Sequence, residues 1–272
     1  SVLERLRYQP LEYMSSAMQV TLDIVQGRLA SAEQHLNAYV AKGGNNITVL
    51  VMFAAQQHGL REAQGRLGEL VPIWQGVLQR WPGLPIFPSA LCLALARAGR
   101  AADAAAEIER VVAGISSIPR DFLWKPVCAL LSDASADIGH RGAAGTLYDV
   151  LRPYARDGVA VVQSYAMGSV AYYLGRLATV LERWSEAEEH FEAALLDNGR
   201  MDFTTWLAAT QLSYGQMLLR RSKPGDAQRA RALLTEAVAT ASECGMLRVQ
   251  TEGERLLTEA ANAARPVQTV VE

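Results

Sequence analysis

Histidine, the residue type that most often ligates metals and transfers protons, is rare in this sequence. Its four copies are spread along the chain: His35, His58, His140 and His190. None has a second histidine or cysteine three or four residues away, whereas zinc sites on helices usually use such closely spaced ligands. We therefore predict no metal site, and we interpret the histidines as partly exposed side chains on helix surfaces.

Cysteine could supply a nucleophile or a disulfide, and the chain has three: Cys92, Cys128 and Cys244. They are odd in number and far apart, which argues against a disulfide framework and for reduced thiols. Cys92 and Cys128 lie among apolar residues, and Cys244 precedes a glycine near a predicted helix end, so we interpret all three as packed side chains. Reduced thiols favour a cytoplasmic location.

A third candidate is a basic segment, LLRRSKPGDAQRAR, at residues 218–231. It could contact phosphate groups, but arginines near a helix C-terminus are also favoured by the helix dipole. The segment lacks interleaved aromatic residues, and the whole chain has 26 basic against 28 acidic residues. Nucleic acid is therefore not an expected partner.

Motifs that define enzymes are also missing from the sequence. It contains no Gly-x-x-x-x-Gly-Lys-Ser/Thr loop, which excludes a P-loop ATPase core within this chain. The most apolar run, ITVLVMFAA at residues 47–55, is about half the length needed to cross a bilayer. We predict a non-enzymatic chain with no catalytic residue, no cofactor and no membrane partner.

The elements that would position a binding site follow from a repeated pattern. Apolar residues recur at steps of three and four, which predicts helix almost throughout. A turn is followed by an anchor residue, usually small, and then by apolar residues four and seven positions further on, and this pattern occurs six times. The anchors are Ala32, Leu70, Ala104, Ala144, Ala187 and Ala230.

Each copy of the pattern predicts one helical hairpin, and no hairpin of this size can bury its apolar face alone. Neighbours must stack, so we predict an all-α fold, a right-handed superhelix of about six antiparallel helical hairpins. No loop is long enough to be a linker, which makes residues 1–264 one continuous domain. A last helix at about 246–264 would cover the open end, and residues 265–272 should fray.

These features resemble tetratricopeptide repeats. In LGRLATVLERWSEAEEHFEAALLDN, residues 174–198, Leu174 and Gly175 match the family's Leu-Gly pair, and Ala187, Phe191 and Ala194 match its second-helix signature. The longer period is typical of the variant repeats in MalT-like bacterial regulators. The last hundred residues are also similar to the helical tail of large bacterial signalling ATPases, which carry a nucleotide-cyclase or LuxR-type module.

The resemblance implies a sensor or interaction module, cut from or related to a longer regulator of signalling or transcription. Its partner would be a protein, a peptide or a small effector held in the concave groove, and homo-oligomerisation stays open. Transfer of the family's groove positions gives the candidate contacts Arg97, Asp133, Asp137, Tyr172, Arg176, Thr179 and Gln216. The alternative is an enzyme or a small-molecule-binding protein that has recruited the superhelix.

Overall fold

The computed structural model of the protein describes residues 9–43, 46–161 and 164–263, and within them the side chains of all but 9–12, 47–48 and 262–263. Thirteen α-helices occupy most of these residues. The first six are α1 (Gln9–Val25), α2 (Leu29–Gly43), α3 (Ile47–Ala63), α4 (Val71–Arg80), α5 (Ile86–Arg97) and α6 (Ala101–Val112). The others are α7 (Trp124–Asp137), α8 (Arg141–Leu151), α9 (Val170–Val180), α10 (Trp184–Arg200), α11 (Thr204–Arg221), α12 (Asp226–Cys244) and α13 (Leu247–Ala263).

In five of the six predicted hairpins the two described helices pack on each other, whereas in the second a 3₁₀ turn (Leu67–Leu70) lies between α3 and α4. The all-α class is confirmed. The six anchors are fully or almost fully buried, and so are the residues four and seven positions beyond them, except for the half-buried Val77. In α10, for example, Ala187, Phe191 and Ala194 are all completely buried. Positions four and seven residues beyond an anchor lie on the same face of an α-helix as the anchor, so this stripe packs against the neighbouring helices.

The turns within the hairpins repeat one hydrogen-bonded geometry. Gly27, which follows α1, has φ +77°, and the next amide, Arg28 N–H, donates to the carbonyl oxygen of Asp23 at 2.8 Å. A left-handed residue at this place ends a helix and satisfies its last carbonyl groups. The fifth hairpin has Glu182 there, with φ 60°, and the first helix of the sixth hairpin ends at Ser222, with φ 54°. In these two hairpins a residue with a side chain adopts the conformation that the first four give to glycine.

A β-hairpin interrupts the helical repeat, although the sequence analysis predicted no sustained strand. Strands β1 (Gly158–Val161) and β2 (Tyr165–Ser169) pair antiparallel, with Val161 opposite Tyr165. Val159, Tyr165 and Met167 are buried, which is the period of two expected of strands that pack on one face. The hairpin lies against α3, and Thr21 Oγ1 of α1 donates to the carbonyl oxygen of Ser164 at 2.9 Å.

The two ends of the array also contact each other, so its inner surface is not the open groove that stacking alone predicts. Helix α1 packs on α11, where Thr205 Oγ1 donates to the carbonyl oxygen of Val25 at 3.3 Å. Gln26 Nε2 donates to the carboxylate of Asp202 at the same distance. A covering last helix is present as α13, and it contacts α11 and α12.

Candidate ligand-binding site

Six charged side chains from five helices meet on the inner side of the array, and we call them the charged cluster. They are Glu62 of α3, Arg97 of α5, Asp133 and Asp137 of α7, Arg176 of α9 and Arg248 of α13. Arg97 Nη2 lies 2.8 Å from Glu62 Oε1, and its Nη1 pairs with Asp137. Arg176 reaches Asp133 Oδ1 at 2.5 Å and Asp137 Oδ1 at 2.6 Å.

The charges of this cluster balance, with three arginines against three carboxylates. Burial opposes ionisation of Asp137, but Arg97 and Arg176 outweigh it and lower the pKa of that carboxyl to about 2. The pKa of Glu62 is also lowered, because Arg97 and Arg248 outweigh the effect of burial. At Asp133 burial is stronger than the attraction of Arg176, and the pKa is raised from its usual value. The cluster is therefore satisfied largely by its own members.

Four of the seven predicted groove residues, Arg97, Asp133, Asp137 and Arg176, thus come together on the inner side. Glu62 and Arg248 complete the cluster but were not predicted, because the family's groove positions do not include them. The structure pairs these charges with one another, and their contact with a partner stays a prediction.

The other three predicted residues lie around or beyond the cluster. Tyr172 is almost fully buried, with the guanidinium of Arg176 5.8 Å from its ring centre and Trp206 at 5.4 Å. Thr179 donates to the carbonyl oxygen of Gly175 in its own helix at 2.8 Å. Gln216 is half-buried on α11. Their roles in binding also stay predictions.

Next to the charged cluster lies a cavity of about 660 Å³, which we call the apolar cavity. It is bounded by α3, α4, α5, the start of α7 and the β-hairpin, whose strand β2 forms one side. Its walls are mainly apolar and aromatic, and they include Leu50, Val51, Trp74, Phe87, Phe122 and Met167. Among the described residues that line it, none carries a carboxylate, an ammonium or a guanidinium group.

Two polar side chains in this cavity lack partners among the described residues. His58 and Trp74 are 5 % and 4 % exposed, and their ring centres are 5.6 Å apart. Neither ring nitrogen of His58 is hydrogen-bonded to a described residue, and the same holds for Nε1 of Trp74. Burial lowers the pKa of His58 to about 4, so at neutral pH the imidazole offers one N–H donor and one acceptor nitrogen. Buried polar groups in proteins are nearly always paired, so three unpaired nitrogens at one place call for a partner that the described residues do not supply, such as water or a ligand.

The prediction that all four histidines are surface side chains is wrong for His58. His35 is exposed, and His140 and His190 are half-buried, as expected. His58 differs because α3 places it against Trp74, with ring centres 5.6 Å apart, in the wall of the apolar cavity. The apolar run at residues 47–55 lies in the same helix, and among the described helices none is long and apolar enough to span a bilayer.

The other candidates for chemistry are occupied by structural contacts. Cys92 and Cys128 are fully buried, and burial raises the pKa of Cys128 to about 12, so neither is an activated thiolate. In the basic segment, Arg221 pairs with Asp226 at 2.7 Å and Arg229 with Glu188 at 2.8 Å. Within the part of the chain that is described, no group of three histidine, cysteine or acidic side chains could hold a metal ion.

Fold and site together define an all-α helical array with a partly open apolar cavity. Comparison with known proteins found no matching family model, no matching curated protein and no matching solved structure. The resemblance to tetratricopeptide repeats therefore remains a prediction from the sequence, and the function is argued from the site itself.

Proposed function

We propose that this chain is a non-catalytic, effector-sensing module whose effector is a small, mainly apolar molecule bound in the apolar cavity. The observation that carries the proposal is the cavity itself. A volume of about 660 Å³ lies within the range of small-molecule sites, roughly 300 to 1,000 Å³, and such sites combine mainly apolar walls with a few polar groups. The walls of this cavity have that composition.

A small molecule is favoured over a peptide or a protein by the state of the charged cluster. A peptide in the concave groove would use Arg97, Arg176 or the carboxylates beside them, and each of these groups already has a charged partner. A ligand would have to replace ion pairs made within the protein, and breaking a buried pair is costly. The contact between α1 and α11 further restricts the space for a long partner.

The absence of converging titratable groups in the cavity favours binding over catalysis. Among its described lining residues, only His58 and Tyr165 can ionise, and an active site normally brings together several groups of perturbed pKa. The charged cluster does bring such groups together. However, it borders only a hollow of about 30 Å³, lined by Glu62, Tyr172 and Arg248 among others, which has the volume of one water molecule.

The wider setting of the proposal rests on the sequence resemblance. Six stacked hairpins with buried anchors support a right-handed superhelix, and repeats of this type imply a sensor or interaction module of a bacterial regulator. Its cytoplasmic location is part of the same proposal, supported by three cysteines that form no disulfide. Binding of the effector between α3, α4 and α5 would act on the first half of the array.

Fluorescence titration with N-phenyl-1-naphthylamine, a small apolar probe, tests the proposal. The probe should bind one site on the wild-type protein with strongly enhanced emission. Ala55 lines the cavity and is half-buried, so Ala55→Trp should fill part of the space and weaken binding at least tenfold. Ala102→Trp, at an exposed position of α6, is the matched control and should bind like the wild type.

Melting temperatures of both variants show whether the added indole disturbs the fold. Equal probe affinity for wild type, Ala55→Trp and Ala102→Trp, with all three folded, would show that the probe binds elsewhere and would refute the cavity as the effector site. The same conclusion would follow if the wild-type protein showed no saturable binding.

A further inference from the structure

The polar groups in the apolar cavity restrict the chemistry of its ligand. His58 and Trp74 both line the cavity, and at neutral pH they carry two N–H donors and one acceptor nitrogen that are buried and unpaired among the described residues. A buried polar group without a partner is costly, so a ligand toward which these rings turn and whose polar group satisfies them gains affinity over one that does not. The ligand should therefore carry a hydrogen-bonding group at the end that meets these two rings.

A charged group at that end is disfavoured by the rest of the lining. The described lining residues include no arginine, lysine, aspartate or glutamate, so a carboxylate or an ammonium would lose its water without gaining a countercharge. Such a loss costs several kcal/mol for each ion. His58 does not provide a positive charge at neutral pH, because its pKa is lowered to about 4 by burial.

Among neutral groups, a hydroxyl fits these atoms with a single oxygen. It donates one hydrogen bond, to the acceptor nitrogen of the imidazole, and it accepts from an indole or imidazole N–H. A ketone or an ester only accepts, so it would leave the acceptor nitrogen of His58 unpaired. The two rings are direct neighbours, with centres 5.6 Å apart, so one ligand end can approach both side chains.

The shape of the ligand follows from the aromatic wall of the cavity. Trp74 and Phe87 are nearly parallel, with an angle of 25° between their planes and ring centres 6.2 Å apart. Trp81 continues the wall, with its ring centre 6.4 Å from that of Phe87. Aromatic rings pack well against flat hydrocarbon, in offset-stacked or edge-to-face geometry.

We propose that the ligand of the apolar cavity is a neutral, flat, apolar alcohol or phenol whose hydroxyl group hydrogen-bonds to His58 and Trp74. This inference rests on the proposed function, since it names the ligand class of the same site. It assigns His58 as the acceptor of the hydrogen bond that the hydroxyl donates, and Trp74 as the donor to the hydroxyl oxygen.

Three probes of the same shape test this ligand class: 2-naphthol, naphthalene and 2-naphthoate, measured by displacement of N-phenyl-1-naphthylamine. Wild-type protein should bind 2-naphthol roughly fivefold or more tightly than naphthalene, and 2-naphthoate most weakly. Trp74→Phe keeps the ring and removes the N–H donor, and His58→Phe removes both nitrogens. Each variant should lose most of the preference for 2-naphthol and keep its affinity for naphthalene within about twofold.

Trp184→Phe, at a half-buried tryptophan that does not line the cavity, is the matched control and should keep the wild-type preference. His58→Phe replaces an unpaired polar ring by an apolar one, so its melting temperature should not fall, and Trp74→Phe provides a second test if it does. Equal affinities for 2-naphthol and naphthalene in the wild type would overturn the alcohol assignment, and so would tightest binding of 2-naphthoate. Displacement by naphthalene in those cases would still support the cavity as a site, whereas no displacement by any of the three would count against both proposals.

Discussion

Two neighbouring regions of the array differ in how far their polar groups are paired within the protein. In the charged cluster, Arg97 and Arg176 contact three carboxylates at salt-bridge distance. In the apolar cavity, His58 and Trp74 have no hydrogen-bond partner among the described residues. His58 is only four residues before Glu62 on α3, so one helix contributes to both regions. The contrast separates residues that are paired within the protein from residues for which the proposed function supplies a ligand as partner.

The charged cluster has a structural role because of where its members come from. Helices α3, α5, α7 and α9 are the first helices of consecutive hairpins, and Arg248 adds the covering helix α13. Ion pairs between them fix how each hairpin sits on the next and connect the last helix to the second hairpin. Buried ion pairs contribute little net stability, but loss of one partner leaves an uncompensated charge.

The largest expected effect is therefore at Arg97, which pairs with both Glu62 and Asp137. Arg97→Met should lower the free energy of unfolding by about 3–5 kcal/mol, because two carboxylates whose side chains are only 12 % and 14 % exposed lose their shared partner. Chemical denaturation measures this change. Arg100→Met removes only an exposed pair with Asp103 and should change stability by less than about 1 kcal/mol. Comparable losses in the two variants would show that the cluster has no special structural role.

The pH dependence of the free energy of unfolding should test whether His58 is buried and uncharged in the apolar cavity. The folded-state pKa of His58 is lowered from 6.5 to about 4, so the unfolded chain takes up its proton at higher pH than the folded protein does. As the pH falls from 6.5 to 4, protonation of His58 in the unfolded chain favours unfolding. The free energy of unfolding should fall by roughly 3 kcal/mol from this residue alone. His58→Phe should show a shallower fall in stability over this interval. Parallel curves for wild type and variant would mean that His58 is solvated or paired in solution.

A third, smaller effect tests the packing of helices beside the charged cluster against a helix position with free space. A Cβ atom added at Gly175, one residue before Arg176, would lie 2.8 Å from Cδ1 of Phe191. Gly175→Ala should therefore destabilise the protein by about 1–3 kcal/mol through overpacking. Gly145→Ala, in α8 with no atom within 4 Å of the new Cβ, should be stabilising by roughly 0.5–1 kcal/mol. Melting curves that rank these variants in the reverse order would contradict the packing described here.

Much of the fold could be predicted from the sequence because it depends on short-range spacing. The anchor pattern around Ala187 and Phe191 reports which face of one helix is buried, and that face is set by the helical period alone. The glycines before α2, α6 and α8 likewise predicted turns, and the structure gives them positive φ angles: Gly27, Gly99 and Gly139. Such features depend on neighbouring residues in the sequence and not on contacts with distant helices.

The remainder depends on contacts between residues far apart in the chain. The pairing of Arg97 with Glu62 and Asp137 combines three hairpins, and no spacing rule predicts which of several polar residues on a helix will meet. The β-hairpin has a signal in the alternation of Val159 and Val161, and of Tyr165 and Met167, but each strand is too short to stand out. The apolar cavity follows from that hairpin and α3–α5 together, so it could not be predicted from any single repeat.

The central claim is that the apolar cavity is a binding site for a small, mainly apolar molecule, and a crystal structure with N-phenyl-1-naphthylamine tests it most directly. The account predicts electron density for the probe between Trp74 and strand β2, in contact with the ring of Phe87. An empty cavity, with the probe bound instead at the exposed apolar side chains Met18 and Leu22 of α1, would contradict it.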